Sequence, residues 1–138
     1  MMVRYDPLTS DARSAGQLVL NVDLAPTFAD LAGITPPAVE GESMLPLLAG
    51  GSPGWRSDFL IEHLWVDQPR AVPTYCAVRG RRFVYVQYAS GKEELYNFRD
   101  DPHQLRNGVR TPKYQDELGR FRERLVELCV PPPPGMTP

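Results

Sequence analysis

Cysteine, histidine and long apolar runs are all scarce in this sequence, and each scarcity excludes a class of protein. The 138 residues include two cysteines, Cys76 and Cys129, which allow at most one disulfide and exclude a disulfide-rich scaffold. The two histidines are far apart and lack cysteines at zinc-ligand spacing, so they do not indicate a zinc site. No run of 18 apolar residues occurs, which predicts no transmembrane helix. The N-terminus also lacks an apolar run of signal-peptide length, and the sequence leaves the localisation of the protein unknown.

The sequence also has little net charge. Fifteen basic and 17 acidic residues give a net charge of −2, so there is no basic surface of the kind that binds nucleic acid or an anionic membrane. Proline is abundant, with 15 residues, and this excludes a bundle of long helices because an interior proline costs about 3 kcal/mol. The length suits one domain with a real core.

Local patterns predict a helix, then an antiparallel sheet, then a second helix. The first helix, about 23–32, has Asn21 or Asp23 as its cap, a proline in its first turn and a glycine stop at Gly33. Leu24, Phe28 and Leu31 form its apolar stripe. Consecutive alternating segments joined by tight turns predict an antiparallel meander; these segments lie at 59–65, 74–79, 82–88 and 94–98.

The C-terminal helix has the clearest amphipathic pattern in the chain. Its apolar positions recur with helical spacing over 114–128, which predicts that this stripe packs on one face of the sheet; the positions are Tyr114, Leu118, Phe121, Leu125 and Leu128. An Asp116–Arg120 pair is expected on its exposed side. The following prolines predict an extended polyproline segment.

Several segments resemble the formylglycine-dependent sulfatases of the alkaline phosphatase superfamily. Residues 21–33, NVDLAPTFADLAG, resemble a helix late in those enzymes, and the match continues in register through 40–48, EGESMLPLL. Residues 94–98, ELYNF, followed by Asp101-Pro102 and Asn107, resemble the family signature ELYDL…DP-x-E-x-x-N. The order and spacing of the segments match too, and the resemblance covers residues 3–128. Cys129 and the four prolines after it are similar to bacterial N-acetylglucosamine-6-sulfatase-like members.

The resemblance implies sulfate ester hydrolysis by the intact enzymes. In that family a cysteine in Cys-x-Pro-Ser-Arg is oxidised to formylglycine, and its hydrate attacks sulfur beside a calcium ion; the chemistry combines a covalent nucleophile with a metal clamp. Neither cysteine here lies in that motif: Ala77-Val78-Arg79 follows Cys76, and Pro132-Pro133 stands where Ser-Arg would follow Cys129-Val130-Pro131. We therefore expect no catalytic, cofactor-binding or metal-binding residue in this chain, and we expect Cys129 to pack as a small hydrophobic residue.

Two residues are candidates for lining a substrate cleft in the intact enzyme. His63 lies at a strand end, next to where the resemblance places substrate-facing loops, although a partly buried sheet position is the simpler expectation. Arg79 belongs to a hairpin cluster with Arg81 and Arg82 that would suit a sulfated substrate, although a solvated basic turn is the simpler interpretation. For five other residues we expect structural roles. Trp55, Trp65 and Tyr75 are predicted to pack in the core or at a subdomain interface rather than on sugars, and Asp100-Asp101 to be a solvated turn.

The predicted fold class is α+β, with an antiparallel sheet of about four strands, a C-terminal amphipathic helix, and a preceding tail of a larger α/β domain. The expected domains are 1–54, the tail of the sulfatase α/β domain; 55–130, the C-terminal subdomain with its helix at 114–128; and 131–138, a proline-rich tail. We expect a C-terminal sulfatase fragment that partly closes the active site and is inactive alone. Its partner would be the missing N-terminal sulfatase domain or a second copy. The alternative is a stand-alone, non-catalytic binding or assembly module.

Overall fold

The computed structural model describes residues 1–9, 11–36, 38–51, 54–64 and 72–138, which form two compact units, Met1–Arg56 and Ser57–Pro138. The elements are α1 (Leu24–Ala32), α2 (Leu45–Leu48), β1 (Asp58–His63), β2 (Tyr75–Gly80), β3 (Phe83–Tyr88), β4 (Glu93–Asn97) and α3 (Gln115–Leu128), with 3-10 turns at Asn21–Asp23 and Pro112–Tyr114. None of the helices in the described ranges combines the length and the apolar character that crossing a membrane requires.

In the first unit, α1 begins and ends close to its predicted bounds, but its apolar stripe faces solvent. Gly33 ends the helix with a φ of 67°, and its N–H donates to the carbonyl oxygen of Asp30. The buried side chains of α1 are Pro26, Thr27 and Ala29. In contrast, Phe28 is 62% exposed and Leu31 37% exposed. The stripe predicted from the sequence is therefore a surface of this chain and not part of its core.

Asp23 stands at the N-cap position of α1, but its side chain does not make the predicted capping hydrogen bond to the helix. Its carboxylate is fully buried and accepts hydrogen bonds from the backbone N–H groups of Leu20 (2.8 Å) and Glu42 (2.9 Å). The Arg56 guanidinium adds two bonds, of 2.5 and 2.7 Å. Burial alone would raise the pKa of Asp23, but the Arg56 guanidinium and the two N–H groups outweigh it and hold the pKa below its ordinary value. One carboxylate thus ties together three segments of the first unit.

The segment after α1 approaches the helix start closely enough to require glycine. A Cβ at Gly41 would collide with the carbonyl group of Val22. Thr27 joins the same two segments, because its hydroxyl donates to the Asp23 carbonyl (2.5 Å) and accepts the Met44 N–H (2.9 Å). The glycine and threonine therefore fix the position of the loop that leads into α2.

The second unit contains the predicted meander. Its four strands pair antiparallel in the order β1-β2-β3-β4, with Phe59 opposite Arg79, Arg79 opposite Val84 and Val84 opposite Tyr96. The strand bounds agree with the sequence patterns to within about two residues, except that the predicted end of the first strand at Trp65 lies outside the described residues. The predicted α+β fold, a four-stranded antiparallel sheet with a C-terminal helix, is confirmed.

Helix α3 covers one face of this sheet. Leu118 and Leu125 are fully buried, in a cluster with residues of β2, β3 and β4 such as Val78, Tyr85 and Leu95. Phe121 is only half-buried and packs against the cluster, with its ring 6.2 Å from that of Phe83. The apolar stripe of α3 therefore packs as predicted, with Phe121 at its margin.

Ion pairs fix α3 at both edges of the sheet. Arg122 makes two bonds to Glu93 of β4 (2.7 and 2.6 Å), and Arg124 makes two to Asp58 of β1 (3.1 and 3.0 Å). Such bidentate pairs fix the orientation of a helix better than single contacts do. The expected Asp116–Arg120 pair is replaced by one between Arg120 and Glu117, at 3.2 Å.

Two predictions for the C-terminal end are wrong. Cys129 forms a disulfide with Cys76 of β2, 53 positions away, instead of packing as a free thiol. A bond that closes a loop of this length contributes on the order of 4 kcal/mol in the chain-entropy account.

The proline-rich tail is also not simply extended. It turns at Pro133, whose carbonyl accepts the Met136 N–H at 3.0 Å, and Met136 is buried in the core cluster. No pattern in the sequence marks that one methionine as a core residue.

We expect Leu125→Ala to lower the free energy of unfolding of the second unit by about 2–5 kcal/mol, because it leaves a cavity in a packed core. Phe121→Ala should cost less than the 3–5 kcal/mol typical of a fully buried ring, since Phe121 is half-buried. Urea denaturation followed by far-UV circular dichroism measures both. Val126→Ala, at a position that is 53% exposed, is the control and should change stability by less than about 0.5 kcal/mol. Equal midpoints for Leu125→Ala and Val126→Ala would contradict this packing.

Asp23→Asn should destabilise the first unit by about 3–5 kcal/mol at pH 7, because it breaks a buried ion pair and leaves Arg56 only the more distant Glu42 carboxylate, at 3.7 Å. A depressed pKa stabilises the fold above the unfolded value near 4, and this contribution is lost as the pH falls through the folded pKa. The native protein should therefore lose protection of the Glu42 amide below about pH 4, while the variant should show no such step. Hydrogen exchange measures this, and Asp30→Asn, at an exposed position of α1, is the matched control. An unchanged Glu42 exchange rate in Asp23→Asn would disprove the role given to Asp23.

Candidate functional site

His63 is the last residue of β1 and lies on the sheet face opposite α3. Its ring stacks on Tyr75 at 5.6 Å, and its Nε2 lies 3.1 Å from the Val72 carbonyl oxygen. Tyr75 contacts Tyr88 edge-on at 5.8 Å. Glu62 lies on the other face of the sheet, where it pairs with Cys76 in an unbroken register. The pleat therefore separates the side chains of Glu62 and His63. His63 therefore belongs to a row of rings across three strands.

Arg79 lies on the same face, four positions from Tyr75 along β2. Its guanidinium carbon sits 3.5 Å from the centre of the Phe98 ring, and its Nη1 donates to the carbonyl oxygens of Gly80 and Phe83. Burial lowers the pKa of Arg79. In the parts of the chain that the structure describes, no carboxylate pairs with it. This half-buried cation is thus held by neutral groups only.

Rings dominate the face that carries His63 and Arg79, which we name the aromatic face. Strand pairing assigns it Phe59, Ile61, His63, Tyr75, Ala77, Arg79, Val84, Val86, Tyr88, Glu94, Tyr96 and Phe98. Burial, reinforced by Glu94, raises the pKa of Tyr96 to about 12 and also raises that of Tyr88. Both phenols therefore stay protonated at neutral pH. Protonated phenols and ring faces suit the hydroxyl and C–H groups of a sugar, and a guanidinium suits an oxyanion.

The three hairpin arginines do not form one cluster. Arg82 lies on the α3 side, where its Nε donates to Asn97 Oδ1 at 3.2 Å. Arg81 is exposed at the turn and has no hydrogen bond or ion pair within the described ranges. Arg79 is a residue of β2, whereas Arg81 and Arg82 form the two-residue turn between β2 and β3, so the sequence cluster disperses. Arg79 alone remains on the aromatic face.

Sequence reasoning missed a groove of about 420 Å³ on the α3 side. It runs between α3, the start of β1 and the β2–β3 turn, with Phe83 and Phe121 among its lining residues. Arginines 81, 82, 120 and 124 line it together with Asp58, Glu117, Glu123 and Glu127. The four positive charges and four carboxylates cancel, so the groove has no preference for an anion or a cation. The helical spacing of charges on α3 is the only sequence signal for it.

The residues present do not fit the calcium and formylglycine of the resembling family. Of the His, Cys, Asp and Glu side chains that the structure describes, Glu62, Cys76 and Cys129 are close enough to share a metal ion, within 4.8 Å of one another. The two sulfurs are joined in the disulfide, which leaves one carboxylate, whereas calcium takes six to eight oxygen ligands. The sequence contains no Cys-x-Pro-Ser-Arg.

The remaining candidates have structural partners. Asp100 accepts bonds from Tyr114 (2.5 Å) and Lys113 (2.9 Å), and these groups hold its pKa below the ordinary value. Asp101 accepts the Arg106 N–H at 2.8 Å within its own turn. Trp55 donates to the Leu18 carbonyl at 2.9 Å in the first unit. Trp65 lies outside the described residues.

Comparison with known proteins identifies the family of the chain. Residues 1–130 match the family described as N-sulphoglucosamine sulphohydrolase, C-terminal. The chain is 37% identical over 116 residues to a Delta 4,5-hexuronate-2-O-sulfatase of Bacteroides thetaiotaomicron, covering 79% of this chain and 23% of the relative. It is 30% identical over 149 residues to the N-acetylglucosamine-6-sulfatase of Capra hircus, covering 84% of this chain and 26% of that protein.

A solved structure of a protein bound to its substrate D-glucosamine-2-N,6-O-disulfate has a TM-score of 0.71 and 25% identity, over 78% of this chain and 23% of that one. The chain thus spans about a quarter of the length of the relatives it matches. The comparisons support a part of a larger sulfatase and do not favour the stand-alone module. This chain belongs to the sulfatases of the alkaline phosphatase superfamily, as a C-terminal sulfatase domain.

Proposed function

We propose that the chain forms one wall of the substrate cleft in a sulfatase that acts on sulfated carbohydrate, and that the rest of that enzyme supplies the catalytic groups. The observation that carries the proposal is Arg79, a half-buried guanidinium with no carboxylate partner in the described ranges, set among rings on the aromatic face. Formylglycine and calcium, where the intact enzyme uses them, come from outside this chain, because its own residues do not fit them.

Arg79 is suited to hold a sulfate group in place. A guanidinium has five N–H donors, and the two bonds to carbonyl oxygens both use Nη1. The Phe98 ring beneath it fixes the plane of the fork, so less freedom is lost when an oxyanion binds. The remaining donors, at Nε and Nη2, are the ones a sulfate would accept from.

The row of rings beside Arg79 is suited to the carbohydrate itself. His63, Tyr75 and Tyr88 contact one another in sequence across three strands. Amphipathic rings in a row offer flat apolar area together with polar edges. A pyranose has matching features, since its C–H groups form an apolar face and its hydroxyl groups lie at the edge. His63 is thus a binding residue in this proposal, and its hydrogen-bonding distance to Val72 orients the ring.

We further propose that the remainder of the sulfatase polypeptide covers the exposed stripe of α1. Phe28 and Leu31, which follow Leu24 at helical spacing, are 62% and 37% exposed, and Ile34, just beyond the end of the helix, is 62% exposed. The curated relatives are about four times as long as this chain, so their additional polypeptide is the first candidate occupant. A second copy of the chain is the alternative occupant. An apolar stripe of this kind usually marks an interaction surface.

Arg79→Ala should abolish the binding of D-glucosamine-2-N,6-O-disulfate to the aromatic face. NMR titration of the full chain with this sugar should shift the resonances of His63 and Tyr75, and unsulfated D-glucosamine should shift them much less. Arg79→Lys keeps the charge but loses the fork and should bind more weakly. Arg81→Ala removes an exposed, unpaired arginine from the same hairpin and should bind like the native chain. Equal shifts in Arg79→Ala and the native chain would contradict the proposal.

Phe28→Asp should weaken association of the first unit with its partner while leaving the fold intact, because the ring is mostly exposed. Light scattering of the chain alone measures self-association, and pull-down with an N-terminal sulfatase portion supplied in trans measures the proposed contact. Leu105→Asp, at an equally apolar position that is 80% exposed in the second unit, is the control. Loss of association in Leu105→Asp but not in Phe28→Asp would place the contact elsewhere. Self-association that persists when the N-terminal portion is added would favour the second copy.

A further inference from the structure

The disulfide lies in the most protected part of the second unit. Cys76, in the middle of the sheet, and Cys129, at the end of α3, both have no exposed surface. They share the core cluster with Leu118, Leu125 and Met136. A bond at this place links the last turn of α3 to β2, which is the strand that carries Arg79 on its other face.

The tail beyond Cys129 folds back onto the same cluster. The Met136 side chain is 6% exposed, and its N–H donates to the Pro133 carbonyl at 3.0 Å. The Gln87 amide donates to the Thr137 carbonyl at 2.9 Å, which fastens the tail to β3. Three elements, β2, α3 and the tail, therefore contribute to the cluster that contains the two cysteines.

We propose that Cys76 and Cys129 are a site of oxidative maturation, at which an external disulfide oxidises the pair in an oxidising compartment before residues 131–137 close over the bond. The thiolate of one cysteine attacks the external disulfide, forms a mixed disulfide and releases one thiol. The second cysteine then attacks the protein sulfur and releases the other thiol. Two protein thiols and one external disulfide thus become one protein disulfide and two external thiols, and the electrons and protons balance.

The burial of the two sulfurs determines the order in which oxidation and closure of the tail occur. Thiol–disulfide exchange needs an approach to sulfur along the axis of the bond that breaks, so a sulfur without exposed surface cannot exchange in the closed state. The tail is the one contributor to the cluster that follows Cys129 in the chain, so it can close after Cys129 has reacted without disturbing the sheet. Disulfides of this kind form and persist where the surroundings are oxidising. The closed tail then protects the bond from reductants.

The external disulfide has two possible sources, a small molecule such as oxidised glutathione or the active site of a thiol–disulfide oxidase. Reduced, refolding full-length chain should be incubated with each oxidant in turn. Free thiols are counted by maleimide labelling and mass spectrometry after denaturation without reductant. Oxidation by glutathione at a rate close to that with the oxidase supports the first source, and oxidation only with the oxidase supports the second. Two labelled cysteines with both oxidants, or in native protein secreted into an oxidising compartment, would overturn the proposal.

The protective role of the tail has its own test. Native, oxidised full-length chain is treated with a phosphine reductant, and the appearance of thiols is followed with time. Met136→Ala should be reduced about tenfold faster than the native chain, because the tail opens more often. Gln87→Ala removes the bond to Thr137 and a 3.2 Å bond from the Tyr85 hydroxyl, which keeps its bond to Glu93. It should act in the same direction and tests the tail if Met136→Ala fails to fold. Leu105→Ala, at an exposed position, should match the native rate. Native rates in both Met136→Ala and Gln87→Ala would overturn the shielding by the tail.

Discussion

The packing of α3 on one face of the four-stranded meander is the constraint on which the second unit depends. A single antiparallel sheet cannot bury a core alone, so one face must be covered, and the fully buried Leu118 and Leu125 provide that cover. Once α3 covers this face, strand alternation determines which side chains lie on the other face. His63, Tyr75, Arg79 and Tyr88 must then share the opposite face, because they lie on the same side of the pleat. The candidate site is therefore a consequence of where the core lies.

The two units are stabilised in different ways. The first unit depends on a buried carboxylate, Asp23, that satisfies two backbone donors and Arg56, while much of its apolar surface remains exposed. The second has a closed hydrophobic core, bidentate ion pairs at both sheet edges and a disulfide. This contrast supports the proposal that further sulfatase polypeptide covers the exposed stripe of the first unit.

Sequence patterns predicted the elements well because their signals are local. The stripe of α3 and the alternation in β3 need only neighbouring residues to be recognised. Sequence patterns could not identify Arg56 as the partner of Asp23, since it lies far along the chain. They also could not establish the bond between Cys76 and Cys129, because the presence of two cysteines shows that a disulfide can form and not that it does. Met136 was missed for the same reason, since a burial that depends on the tail folding back has no periodic signal. The hairpin arginines were predicted as a cluster because they are neighbours in sequence, but Arg79 lies in β2 while Arg81 and Arg82 lie in the turn after it.

We propose that this chain shapes a sulfatase cleft but carries no sulfatase chemistry of its own. The most direct test is hydrolysis of an aryl sulfate by the purified full-length chain, with and without calcium, together with its melting temperature in both conditions. We expect a rate no higher than that of buffer and a melting temperature that calcium does not change, because a ligand that does not bind the native state adds no stability. Measurable turnover that is lost when Cys76 or Cys129 is replaced would contradict it.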